Sequence, residues 1–458
     1  MKDLLVLAIT FGSVPLIVWR PWIGIIMWVW LSVMNPHRLG YGVAADWPLA
    51  AIVAGVTMMA LLVRPVPKRF PLTAVTVFLL AFVFWMNVTT HFSLVPDVPE
   101  QWNRVMKVML MTFVTLILIR DRHHVQALIW IIVISLGFYG VKGGIFTILT
   151  GGKDKVWGPP LSSIADNNEI ALALVMTIPL MHYLQTTTKS RTVRYALSGA
   201  MLLCFAAILG TYSRGALLAM GLMVGVLALR SHHKAGVFLF ILAVLPFAFN
   251  FMPAEWMARM EGIHLYEQDG SAMGRINAWT MAYNLALDHP LVGGGFQIYL
   301  PELFAIYAPN PDDLHVAHSI YFQALGEHGF VGLGLVLLYM LATWRCANWI
   351  IRHAAGSEQY RWARSLASML QVSLLGYAAG GAFLSLLYLD VPYFLMAALV
   401  ATRALMEREM SAKARDDAAM EARNGGATPE PAWPAARPTG ARLRIGDRRN
   451  NPASPGAS

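Results

Sequence analysis

Three side chains in distant parts of the sequence have the chemistry to work together on a phosphate ester. They are Arg214 in "GTYSRGALLAM", Arg275 in "GRINAW" and His318 in "AHSIYFQALGEHGFVGLG". A guanidinium is planar and permanently charged, and its fork of N–H donors matches the oxygens of a phosphate. A neutral imidazole near pH 7 can take the proton of a hydroxyl. Each residue also has an ordinary role available. Arg214 can snorkel at a helix end, Arg275 can form a surface ion pair, and His318 can bond backbone at a helix start. Their placement relative to the membrane decides between the two.

A membrane is implied by composition. The chain has 458 residues, 57% of them hydrophobic and only 13% charged, with a mean hydropathy of +0.53. Soluble domains carry roughly a quarter charged residues, and a bilayer core needs about 20 mainly apolar residues per helix. The expected fold is all-α, a polytopic helical membrane protein. Candidate spans fall near 3–19, 21–35, 48–63, 72–90, 104–119, 125–148, 169–185, 194–211, 214–229, 235–252, 319–343, 365–388 and 391–405. The first two are short enough to form one hairpin, so twelve or thirteen spans are expected. The opening "MKDLLVLAITFGSVPLIVW" lacks a small-x-small cleavage site and reads as a retained first span.

Charge orients the spans. Arg64, Lys68 and Arg69, then Arg120 and Arg122, then Lys189, Arg191 and Arg194, then Arg230 and Lys234, then Arg345, Arg352, Arg361 and Arg364 fall on one set of connections. The longest connection, 253–317, lies in the alternate set and carries eight acidic residues against Arg259 and Arg275. The positive-inside rule puts the basic set in the cytoplasm and the long loop outside. In a bacterium this means an inner-membrane protein with Arg214, Arg275 and His318 on the periplasmic side. The net charge of +9 then belongs beside anionic lipid rather than nucleic acid. Within the long loop, Ser271 to Leu287 has a helical pattern and "DHPLVGGGF" follows as a turn. From about Met410 the chain is rich in Ala, Pro, Gly and Arg and reads as a disordered cytoplasmic tail.

Further polar residues stand at or inside span ends. Asp166, Asn168 and Glu169 have the order of a helix cap and face the same outer side. Ser319 follows His318. Glu327 falls nine residues after His318, at membrane depth, where a carboxylate is a functional candidate by default. Gly329 and Gly332 either break the span or let another helix approach. "GGGF" at 293–296 has no preceding strand and is no nucleotide fingerprint. His123-His124 and His232-His233 are adjacent pairs that share no helix face. Cys204 and Cys346 are the two cysteines, far apart and without a metal-binding or disulfide spacing.

Three of these segments resemble the O-antigen ligase and lipid-linked-oligosaccharide O-glycosylation ligase superfamily. His318-Ser319, followed by Gly329 and Gly332, fits that family's His-Asn/Ser/Gln motif with a spaced Gly-x-x-small. "YSRGA" at 212–216 fits its outer-edge Ser-Arg-Gly segment. "GRINAW" at 274–279 with "HPLVGGG" at 289–295 fits its large-loop pattern, and "ADNNEIALALVMTIPL" at 165–180 is also similar. "RPWIGIIMWVWLSVMNPHRLGYG" at 20–42 resembles a subgroup associated with exosortase systems. The motif's second residue here is Ser rather than the commoner Asn, and the C-terminal tail is extra.

The resemblance implies a GT-C-like membrane glycosyltransferase that uses no cofactor and no metal. Its donor would be a glycan on a polyprenyl (undecaprenyl) diphosphate carrier, and its acceptor a hydroxyl of a lipid, protein or glycan. Arg214 and Arg275 would hold the diphosphate and His318 would receive the acceptor proton. Asp166, Asn168, Glu169, Ser319 and Glu327 would line the substrate site. The implied organisation is an N-terminal transmembrane region over 1–120, a ligase-type core over 121–405 that includes the periplasmic loop 253–318, and the tail 406–458. Two rivals stay open: a polysaccharide polymerase with the same donor, and a lipid-linked-glycan flippase. A flippase needs charges deep in the spans, reachable from both faces.

Overall fold

The computed structural model describes residues 2–40, 42–96, 99–230, 252–254, 256 and 270–424. It is all-helical, with no strand among the described residues. Helix α1 (Lys2–Trp19) and α2 (Trp22–Val29) form a hairpin, and α2 continues as a π-helical turn, Trp30–Met34. Next come α3 (Leu49–Val63), α4 (Ala74–His91), α5 (Pro99–Leu118), α6 (Arg122–Leu149), α7 (Asn167–Thr187), α8 (Arg191–Gly210) and α9 (Arg214–Arg230). The 270–424 segment contributes α10 (Gly270–Asp288), α11 (Pro301–Tyr307), α12 (Ile320–His353), α13 (Arg361–Gly380) and α14 (Asp390–Asn424).

Among the described residues, six helices, α4, α6, α7, α8, α12 and α13, are long and apolar enough to cross a membrane, and the apolar parts of α1, α3 and α9 are shorter. This is a polytopic helical membrane protein. The expected span at 235–252 lies, but for Met252, outside the described residues, and the remaining expected spans are short or carry charges. The outer coat is apolar: Leu62, Phe84, Leu149 and Leu218 are all exposed, as a lipid-facing surface requires. The centre of the bundle is α7, buried along most of its length. It packs on α13 and α8, while α6 packs on α8 and α12 on α4.

Local sequence explains where the helices start. Thr73 and Thr76 cap α4 reciprocally, and Asp166 and Glu169 do the same for α7. These reciprocal bonds satisfy two orphan N–H groups at each helix start. The starts of α7, α9, α12 and α14 share one end of the bundle with the ends of α4, α6, α8 and α13. The strongly basic connections lie at the other end.

One expectation is corrected. Residues 410–424, read from composition as disordered tail, continue α14 as helix to Asn424. Eleven of its fifteen residues are Ala, Glu, Arg, Lys or Met, all strong helix formers, and it contains no Gly or Pro. Residues up to Arg408 form one compact unit and 409–424 fall in a second; 425–458 lie outside the described residues.

Candidate active site at one end of the bundle

His318 stands at the last turn before a span, with a left-handed backbone, φ 43°. That conformation is uncommon for a residue with a Cβ and persists only where the surroundings enforce it. Helix α10 does the enforcing. Asn284 Nδ2 donates to Tyr307 O at 2.9 Å. Asn277 Nδ2 donates to Asn310 O at 2.7 Å and Asp313 O at 3.0 Å, while its Oδ1 accepts from Asn310 N at 2.9 Å. Trp279 Nε1 donates to Ala317 O at 2.5 Å, and its indole stacks on Phe322 at 5.0 Å. The segment 308–319, which turns at 309–312, is thus laid along α10 and delivers His318 beside Arg275.

The first turn of α10 completes the junction. A Cβ on Gly274 would lie 2.5 Å from the His315 ring, so glycine is required for the loop to close over the helix. His315 Nδ1 lies 2.8 Å from Asp313 Oδ1. The expected helix over 271–287 is therefore present, and its "GRINAW" motif is a docking device for the loop that bears His318.

Arg275 and Asp166 both act on His318. Burial pushes the His318 imidazole down to about 4, the Arg275 guanidinium and His315 push the same way, and the Asp166 carboxylate opposes them. The ring is therefore neutral at pH 7. Asp166 accepts from Asn168 N at 2.8 Å and Asn168 Nδ2 at 2.9 Å, and Glu169 Oε2 accepts from Asp166 N at 3.1 Å. These residues therefore cap α7, and the capping aspartate also faces the histidine electrostatically. Between them, Asn167 Nδ2 donates to Thr211 O at 2.7 Å, which ties the start of α7 to the corner leading into Arg214, the first residue of α9. A Cβ on Gly215 would meet Phe383 at 3.3 Å, and one on Gly381 would meet Ile320 at 2.8 Å. The starts of α7, α9 and α12 and the turn after α13 are thus packed around one end of the bundle. Arg214, Arg275, Asp166, Asn168 and His318 are all half-buried there, and Ser319 is buried at the start of α12.

Glu327 is set apart from this group, roughly 12 Å along the α12 axis from Ser319 at 1.5 Å per residue. Its carboxylate is 3% exposed. Oε1 accepts from Gln297 N at 3.2 Å and Oε2 accepts from the Tyr388 hydroxyl. Tyr388 also pairs with His328 Nε2 at 2.6 Å, and His328 Nδ1 with Thr89 Oγ1 at 2.7 Å. This buried network links α4, α12 and the segments at 297 and 388.

Next to the network, α12 breaks at Gly329 (φ 69°, ψ −172°). The break frees backbone groups, and the glycine turn at 293–295 takes them up. Gly294 N donates to Gly326 O at 2.8 Å, Gly295 N to Glu327 O at 2.9 Å, and Phe330 N to Pro290 O at 2.9 Å. Trp85 Nε1 donates to His328 O at 3.0 Å. Gly329 is thus the residue that interrupts the span.

The Asp313–His315 pair and the positioning role of Asn277 and Trp279 were not singled out by residue type. The Asp-x-His spacing and the Asn and Trp of the α10 motif were the available signals.

Residues 1–189 match the model of a family of unknown function (DUF5935). No curated protein matches the chain. Residues 199–337, the stretch that holds Arg214, Arg275, His318 and the Gly329 break, match the family model described as O-antigen ligase, and this supports a membrane glycosyl-transferring protein of the ligase or polymerase kind.

Proposed function

We propose that the protein transfers a glycan from a polyprenyl (undecaprenyl) diphosphate carrier to a hydroxyl acceptor at the periplasmic face of the inner membrane. The reaction inverts the anomeric centre and needs no metal. The observation that carries this reading is the electrostatic coupling of His318 with Arg275 and Asp166 at the span boundary, within the stretch that matches the O-antigen ligase model.

The chemistry follows from the residue types. Breaking the bond from the sugar C1 to the phosphate oxygen leaves negative charge on the departing diphosphate. Arg275 and Arg214 meet that charge as it develops. Losing one preorganised donor of this kind costs on the order of 10²–10³ in rate. The acceptor hydroxyl attacks C1 from the opposite face and gives its proton to His318, a contribution of about 10²–10⁴. Donor binding also adjusts the base. A diphosphate against Arg275 offsets the positive charge that depresses His318, so its proton affinity rises once the donor is in place. Asp166 stabilises the imidazolium that forms. Asn168, Glu169 and Ser319 hold the rim of the site, and Glu327 acts from behind it by fixing α12.

The acceptor is a lipid sugar, a protein Ser/Thr or a glycan chain. The likeness of residues 20–42 to an exosortase-associated subgroup favours a protein or surface polymer. A polymerase differs only in taking a second lipid-linked glycan as acceptor.

The test is reconstitution of the full chain in vesicles with a polyprenyl-diphosphate glycan. The expected result is glycan joined to an added acceptor, with free carrier diphosphate released. Glycan that crosses the bilayer still attached to its carrier, with no transfer, would identify a flippase and sink the proposal.

A further inference from the structure

A second site lies in the N-terminal region, between α2, α3 and α5. Its cavity of about 550 Å³ runs from the loops at the outer end down the first turns of α3. Half of its wall is Ala, Leu and Met, and two of the residues that line it carry a buried polar atom without a partner. Trp28 is 6% exposed and His37 8% exposed, and neither Trp28 Nε1 nor His37 Nδ1 has a hydrogen-bond partner. Both residues line the cavity together with Arg38 and Lys107. An indole N–H can only donate, and so can Arg and Lys. A buried donor left unpaired is costly, so such groups call for a ligand or an unseen partner.

The ligand must supply acceptor oxygens and negative charge. Arg38 spends one N–H on Leu161 O at 2.8 Å and keeps the rest of its fork. Lys107 stands two turns inside α5 and is exposed on the cavity wall. Asp46 is the acid on the wall, and it is exposed as Arg38 and Lys107 are, so two cations stand against one anion. Met58 and Leu110 on the wall are 37% and 42% exposed, which opens the groove to the lipid side.

We propose that this pocket binds an anionic phospholipid. Its phosphate sits between Arg38 and Lys107, over the buried Trp28 and His37, and an acyl chain lies along the apolar face of α3. This site is separate from the group around His318, and its test does not involve glycan transfer.

Native mass spectrometry of the full chain in detergent tests it, with phosphatidylglycerol titrated against phosphatidylcholine. The wild type is expected to hold one phosphatidylglycerol at least about tenfold more tightly than phosphatidylcholine, since charge-assisted contacts to the phosphate decide the difference. Replacing both Arg38→Gln and Lys107→Gln should remove that preference. Gly55→Phe is the second variant. Gly55 lines the cavity, and a Cβ there meets nothing within 4 Å, so the ring fills the groove without disturbing the helix. It should abolish retention with an unchanged melting temperature. Equal retention of the two lipids, or phosphatidylglycerol retained by the Gly55→Phe protein, overturns the proposal. Displacement of phosphatidylglycerol by a polyprenyl phosphate at equal concentration would assign the pocket to the carrier and overturn it as well.

Discussion

Trp279 donates its indole N–H to the carbonyl of Ala317 at 2.5 Å, and the next residue is His318 in a left-handed conformation. One hydrogen bond from the large-loop helix therefore holds the peptide that aims the imidazole. Trp279→Phe keeps the stacking on Phe322 and removes the donor. A buried carbonyl left unpaired costs about 1–3 kcal/mol, and 1.4 kcal/mol of misplacement is about tenfold in rate. The expected outcome is a kcat about tenfold lower with KM for the donor nearly unchanged. A change in KM alone would show that Trp279 shapes donor binding instead.

The depressed proton affinity of His318 gives a pH prediction. The ring is neutral above about 4, so the base is already in its working form through the neutral range. As pH falls through about 4 the ring takes up a proton, can no longer accept one, and kcat/KM declines. The acid limb of kcat should lie above that of kcat/KM, because bound diphosphate offsets Arg275. His318→Ala should abolish transfer while insertion and donor binding persist. Wild-type transfer by that variant would remove His318 from the mechanism.

Arg275→Lys keeps the charge and loses the planar fork. Transfer should fall by about 10²-fold, near the loss of one preorganised donor, whereas exposed surface substitutions change little. Chelators should leave the wild-type rate unaltered, since fixed arginines meet the leaving group. Rate restored by added Mg²⁺ after chelation would overturn the two-arginine account.

Much of this arrangement was legible in local sequence. The Asp166–Glu169 cap, the α10 helix and the break near Gly329 all follow from neighbouring residues and from propensity. What joins them was not legible, because it acts over long separations. Asp166 and His318 are 152 positions apart, and only the packing of α7, α10 and α12 brings their charges together. Glu327 read as a membrane carboxylate available to substrate; its partners, Tyr388 and Gln297, come from other segments and enclose it. The helix over 410–424 was hidden because averaging with the Pro- and Gly-rich residues beyond it masked its Ala, Glu and Arg run.

The glycine pairing across α12 carries the last prediction. Gly329 has φ 69° and ψ −172°, a region essentially closed to residues with a Cβ, at a cost of order 1–3 kcal/mol. A Cβ there would also lie 2.3 Å from Leu291 O and 2.7 Å from Pro290 O. Those carbonyls belong to the turn that donates Gly294 N and Gly295 N to the opened helix. Gly329→Ala must therefore either expel the turn or straighten α12, and both choices displace the Glu327–Tyr388–His328 network. The expected loss is about 3 kcal/mol or more in stability, seen as a lower melting temperature in detergent and early proteolysis within 289–300. Gly332→Ala carries no backbone strain, yet its Cβ would lie 2.2 Å from His328 Cβ, so it too should lower the melting temperature, but without early proteolysis within 289–300. If the two variants melt together at the wild-type temperature, the break at Gly329 is not what holds the turn against α12.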